Sequence, residues 1–141
     1  MGQYCYIAKL LYCYKTMEKK FLGLDDLNAY KKAIALARFV WEIVSDWDYF
    51  AKDTIGKQFV RAADSISANI AEGFGRYSKK EKIQFYRYSY ASIIESIDWN
   101  QKAKDRKLIT EEQFVLLQNQ LQQLPKEVHH LISFTQQKLT I

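Results

Sequence analysis

The sequence predicts an all-α protein, an antiparallel four-helix bundle in up-down-up-down order. Three observations carry that expectation. Four segments repeat apolar residues at alternating spacings of three and four, which puts them on one face of a helix. The chain has one proline and five glycines in 141 residues, so few positions break a helix. The connections between the four segments are short, and short connections favour antiparallel neighbours. No strand pattern and no internal repeat competes with this reading.

The hydrophobic share of 48% and the charged share of 26% are those of a soluble globular chain, and the length suits one domain. We divide it into an N-terminal extension, 1–20, disordered or an apolar arm, and a bundle domain, 21–141. Residues 1–16 are apolar and aromatic but interrupted by Lys9. They have no basic n-region and no small-residue cleavage site, so they do not read as a signal peptide. No apolar run reaches the length of a membrane span. Cys5 and Cys13 fit neither a disulfide framework nor a zinc spacing, and are expected as free thiols in a reducing, cytoplasmic setting.

In the first helix Leu27, Tyr30, Ile34, Ala37, Trp41 and Val44 form the expected stripe, with Asp25 or Asp26 capping its start and Ser45–Asp48 ending it. The second is expected to start near Asp53 as N-cap, with Ile55, Phe59, Ala62, Ile66 and Asn69 or Ile70 inward. Gly73 is expected to end it as a left-handed residue. The third starts at Ser78, where Ser-Lys-Lys-Glu reads as a capping box with Glu81, and its stripe is Ile83, Tyr86, Tyr90, Ile93 and Ile97. The fourth starts at Thr110 with a second capping box and runs through Phe114, Leu117, Leu121, Leu124, Val128 and Leu131. Pro125 predicts a kink there, or two abutting helices. Phe85, Tyr88 and Trp99 on helix three, and Phe39, Val40 and Ile43 on helix one, fall off these stripes. That surplus predicts burial against another subunit.

The net charge of +5 is unevenly placed: Arg76 to Lys107 holds nine basic and four acidic residues, so the rest of the chain is neutral. The basic residues form two clusters at opposite ends of helix three. The one at 102–107 suits a helix C-terminus and lies where Asp46, Asp48 and Asp53 are expected to neutralise it. The other, Arg76, Lys79, Lys80, Lys82 and Arg87, opposes the helix dipole and is the candidate nucleic-acid-binding surface.

Catalytic chemistry finds no arrangement. His129 and His130 are adjacent, so they point about 100° apart on a helix and cannot chelate together. Gly73-Phe-Gly75 lacks the Gly-Lys-Ser ending of a phosphate loop and reads as a turn. No metal, cofactor or small-molecule substrate is expected, and no enzyme activity. The stretch Ser65 to Arg76 instead reads as a polar anchor. Asn69 needs a buried partner, Glu72 is expected to pair with Arg76, and Glu95 in mid-helix three also asks for a partner.

Ser65-Ile-Ser-Ala-Asn-Ile-Ala-Glu-Gly-Phe-Gly-Arg resembles the signature of the four-helix-bundle proteins named for 23S rRNA intervening sequences, often labelled S23 ribosomal protein. Phe21-Leu-Gly-Leu-Asp-Asp-Leu-Asn-Ala-Tyr, Gln58-Phe-Val-Arg-Ala-Ala, Ser78-Lys-Lys-Glu and Ala91-Ser-Ile-Ile-Glu extend the likeness over 21–138. The resemblance implies a ring-like homopentamer without established enzyme activity. It also implies kinship with accessory proteins of diversity-generating retroelements, which bind a reverse transcriptase and nucleic acid through basic surface. Residues 1–16, Tyr88, Tyr90 and Pro125 depart from the family pattern. The expected function is a non-enzymatic homo-oligomeric scaffold that binds RNA or a ribonucleoprotein partner near the helix 2–3 turn. The alternative is a protein–protein adaptor with no nucleic-acid role.

Overall fold

The computed structural model describes residues 22–139. The expected extension, Cys5 and Cys13 among it, lies outside the described residues. Within them the chain forms four long helices and no strand: α1 (Asn28–Ser45), α2 (Lys57–Gly75), α3 (Lys79–Asp105) and α4 (Glu111–Lys138). A 3-10 turn, Leu24–Asp26, precedes α1. α2 continues directly from a short α-turn, Tyr49–Ala51, and a π-helical turn, Lys52–Gly56. α2 packs on α3, α3 on α4, and α1 closes the circuit against both α2 and α4.

The core follows the spacing rule, with one row displaced. On α1 the inward row is Ala29, Ala33, Leu36, Val40 and Ile43, all buried, and Trp47 in the loop just beyond it is buried too. The expected stripe is its neighbour. Leu27, Ala37 and Val44 are buried, but Tyr30 and Ile34 are half-buried and Trp41 is 63% exposed. Two adjacent rows of α1 both carry the three-four spacing, and spacing alone does not say which faces in. Val40 and Ile43, read as surplus, are core. α2 and α4 hold their expected rows: Phe59, Ile66, Ile70, Leu117, Leu121, Leu124 and Val128 are fully buried. Each such side chain contributes roughly 1.5–3 kcal/mol of burial.

The caps differ in part. Neither Asp25 nor Asp26 caps α1; the Asp26 carboxylate accepts from Gly23 N at 2.8 Å and braces the preceding turn. Helix two begins before Asp53. Asp48 is its cap, accepting from Ala51 N at 3.0 Å, while Asp53 pairs with Lys57 one turn on. The Thr110 cap is as expected, and Ser78 caps α3 without the full box, its hydroxyl rather than its backbone N–H donating to Glu81 Oε2 at 2.7 Å. Ser78 accepts from Glu81 N at 3.2 Å, and its hydroxyl holds the Glu81 carboxyl below the usual range. Thr110 and Gln113 exchange backbone–side-chain bonds of 3.0 and 3.1 Å. Pro125 lies inside one unbroken helix, not between two.

α3 ends in a Schellman motif: Leu108 N donates to Ala103 O, and Lys107 N to Lys104 O, both at 2.9 Å. The residue that must turn left-handed is Lys107, at φ 58°, where glycine is the usual occupant. Lys107→Gly is therefore expected to stabilise the fold by about 0.5–1 kcal/mol, because the side chain's steric cost there exceeds glycine's added unfolded-state entropy. A thermal melt that shows a lower midpoint for the variant contradicts this.

Candidate nucleic-acid interface at the α2–α3 turn

The turn from α2 into α3 spans only Arg76–Ser78, and three of the five cations around it are tied back onto the fold. α2 does not stop at Gly73. It runs to Gly75, and no glycine among the described residues has positive φ. Gly73 serves close approach instead: a Cβ there would lie 2.7 and 2.9 Å from the Tyr86 ring and 3.1 Å from Lys82 O. Lys82 Nζ reaches back to donate to Phe74 O at 2.6 Å and Gly73 O at 3.4 Å. It thereby satisfies carbonyls that a helix end leaves without partners. Burial in that seat lowers its pKa.

Arg76 pairs with Glu72, as expected, and its guanidinium lies 4.5 Å over the Phe85 ring. Lys79 Nζ donates to Gln136 O on α4 at 3.1 Å. Of the five predicted contact residues, Arg76, Lys79 and Lys82 are thus tied to the fold. Lys80 and Arg87 are exposed and form no ion pair among the described residues. They flank a shallow groove of about 520 Å³ with Lys79, Gln84 and Gln136. Tyr77, 81% exposed, immediately precedes the groove residue Ser78 in the chain.

Of the expected polar anchor, Glu72 and Arg76 pair as expected, while Ser65, Asn69 and Glu95 bond only within their own helices. Ser65 donates to Arg61 O and Asn69 to Ser65 O, both within α2, so neither joins two helices. Glu95 is exposed and accepts from Trp99 Nε1 at 3.2 Å on its own helix. The buried polar row is on α3, at Ser89, Ser96 and Asn100, interleaved with Tyr86, Ile93 and Ala103. Ser89 Oγ donates to Ile66 O on α2 at 2.8 Å. Asn100 Nδ2 reaches Gln118 Oε1 at 3.2 Å and Phe114 O at 3.4 Å on α4. The signal was present: 86, 89, 93, 96, 100 and 103 alternate three and four, but serines do not count as apolar.

Two of the four distal cations, Lys102 and Lys104, are neutralised, by other partners than the first loop, and Arg106 and Lys107 form no ion pair among the described residues. Lys102 pairs with Asp98 and lies 4.4 Å over Trp99; Lys104 meets Glu111 at 2.9 Å and lies 4.1 Å over Phe114. His129 and His130 are exposed, and the His129 ring lies 5.3 Å from Tyr90. Among the described residues no three His, Cys, Asp or Glu side chains gather as a metal site, and no helix is long and apolar enough to cross a membrane.

The family model of the 23S rRNA-intervening sequence proteins matches residues 25–130, from the brace before α1 to the His pair on α4. The chain belongs to this family. A solved member of the S23 ribosomal protein family from Bacteroides thetaiotaomicron VPI-5482, itself of unknown function, shares the fold. Its TM-score is 0.66 at 21% identity, over 74% of this chain and 97% of that one. No curated protein matches the chain.

Proposed function

We propose that this protein is a non-enzymatic, homo-oligomeric scaffold of the cytoplasm that binds RNA, or a ribonucleoprotein partner, beside the α2–α3 turn. The observation that carries the proposal is the pair Lys80 and Arg87, exposed and without carboxylate partners among the described residues, with exposed Tyr77 close to Lys80 in the chain. Two cations and an aromatic ring suit a phosphate backbone with an unpaired base. The family's printed name, which refers to an rRNA insertion, favours RNA over other polyanions.

The reading takes the bundle as antiparallel. Residue pairs Ile66–Ser89 and Gly73–Lys82 between α2 and α3, and Gln118–Asn100 and Gln136–Lys79 between α3 and α4, support that order. It takes the assembly as a ring-like homopentamer, as the family resemblance implies. Tyr88, Ile94, Val115 and Leu116 are each 45–48% exposed on α3 and α4, apolar surface of the kind subunit contacts cover. Light scattering at micromolar concentration that returns a monomer removes this part.

Lys80→Glu with Arg87→Glu is expected to weaken RNA binding on the order of tenfold or more, and to reduce the salt slope by roughly one to two units. Neither side chain supports the fold, so the melting temperature is expected to hold. RNA binding that ignores salt, or that survives both reversals, rejects the site.

A further inference from the structure

A second groove, of about 440 Å³, lies between the end of α1 and the start of α2, away from the α2–α3 turn. Trp41 forms one wall, and Val44, Gly56 and Val60 form an apolar floor. Lys52 and Arg61 stand on the rim with no ion-pair partner among the described residues, and Lys57 is held by Asp53. The floor is fixed. A Cβ at Gly56 would meet Val44 Cγ1 at 2.7 Å, so backbone and side chain are already in contact. The π-helical turn that carries Lys52 and Gly56 is a rare element, often kept where a helix serves a site.

We propose that this groove binds a free amphiphilic anion, an apolar chain or flat ring ending in one acid group. The volume and the mostly apolar lining with a few convergent charges are those of a small-ligand site. An indole 63% exposed beside an apolar floor leaves surface that such a body covers. The sign of the head group follows from Lys52 and Arg61. Lys52 and Arg61 are separated by about 14 Å of helix, so the one acid group meets the cation at one end of the groove while the apolar body lies along the floor beside Trp41. The other flank of Trp41 carries two carboxylates, Glu42 and Asp64, against one cation, Arg38, so an anion is favoured on the Lys52 side, whose lining has no carboxylate. This site is independent of the RNA reading, since it shares no residue with it.

The test uses the full chain and the fluorescent probe 8-anilinonaphthalene-1-sulfonate, displaced in turn by decanoate, decanol and decylamine. One probe per chain is expected, excited by energy transfer from tryptophan. Decanoate displaces it on the order of tenfold better than decanol, as a charge-assisted contact predicts. Lys52→Glu with Arg61→Glu removes that preference and leaves decanol unchanged. Trp41→Ala weakens all three competitors. Circular dichroism checks that each variant keeps its helices. Equal displacement by all three competitors, or a decanoate preference that survives charge reversal, overturns the proposal. So does probe binding lost in step with self-association, which makes a second copy the occupant.

Discussion

Gly73→Ala is expected to destabilise the bundle by about 1–3 kcal/mol, although alanine is the better helix former. Helix propensity favours the change by about 1 kcal/mol. Packing opposes it more strongly. The new methyl would sit 2.7 Å from a ring carbon of Tyr86 and 3.1 Å from the carbonyl of Lys82. The ring is 2% exposed and has no free space to move into, and a backbone carbonyl does not yield. The Tm should fall by roughly 5–15 °C. Combining it with Tyr86→Leu, which removes the obstructing ring, should cost less than the sum of the single changes. Additive losses in that cycle would mean that the ring is not what excludes the methyl.

Tyr86→Ala should cost about 3–5 kcal/mol, the range for deleting a fully buried aromatic ring. Its pH dependence offers a separate readout. Burial pushes the Tyr86 hydroxyl up to about 12, with its hydrogen bond to the Thr135 side chain acting in the opposite sense. Below pH 10 the folded and unfolded chains both hold the proton, and this contribution to stability is complete. Above pH 10 the unfolded chain releases it first, so stability falls by on the order of 2 kcal/mol as pH rises towards 12. Tyr86→Phe lacks that component. Denaturant melts from pH 9 to 11.5 should therefore show the wild type losing stability faster than Tyr86→Phe. Parallel curves would refute the assignment.

Most of the fold was legible because burial and periodicity agree on α2 and α4, where the inward positions are Phe, Ile, Leu and Val. They disagree on α1, which carries two apolar rows, and on α3, whose inward row contains serine and asparagine. An apolar stripe therefore finds Ile83 and Ile93 but passes over Ser89 and Asn100, the side chains that bond to neighbouring helices. The candidate interface was half legible. Sequence places Lys79, Lys80 and Lys82 together, yet side-chain reach decides their use. Lys82 bends back to the end of α2 and Lys79 crosses to α4, leaving Lys80 outward. Glu72 with Arg76 was readable because a four-residue spacing on a helix brings opposite charges together.

The π-helical turn at Lys52–Gly56 carries one residue more than an α-helical turn over a comparable rise. Everything after it on α2 is rotated by about one residue's angle relative to the Asp48 cap. Loss of one residue between Lys52 and Gly56 would restore ordinary winding there, while Phe59, Ile66 and Ile70 kept their seats. The turn therefore acts as slack in the chain. It is the place where a one-residue change of length would leave the row from Phe59 to Ile70 in place and be absorbed by reseating Ile55 and Gly56, which are buried there.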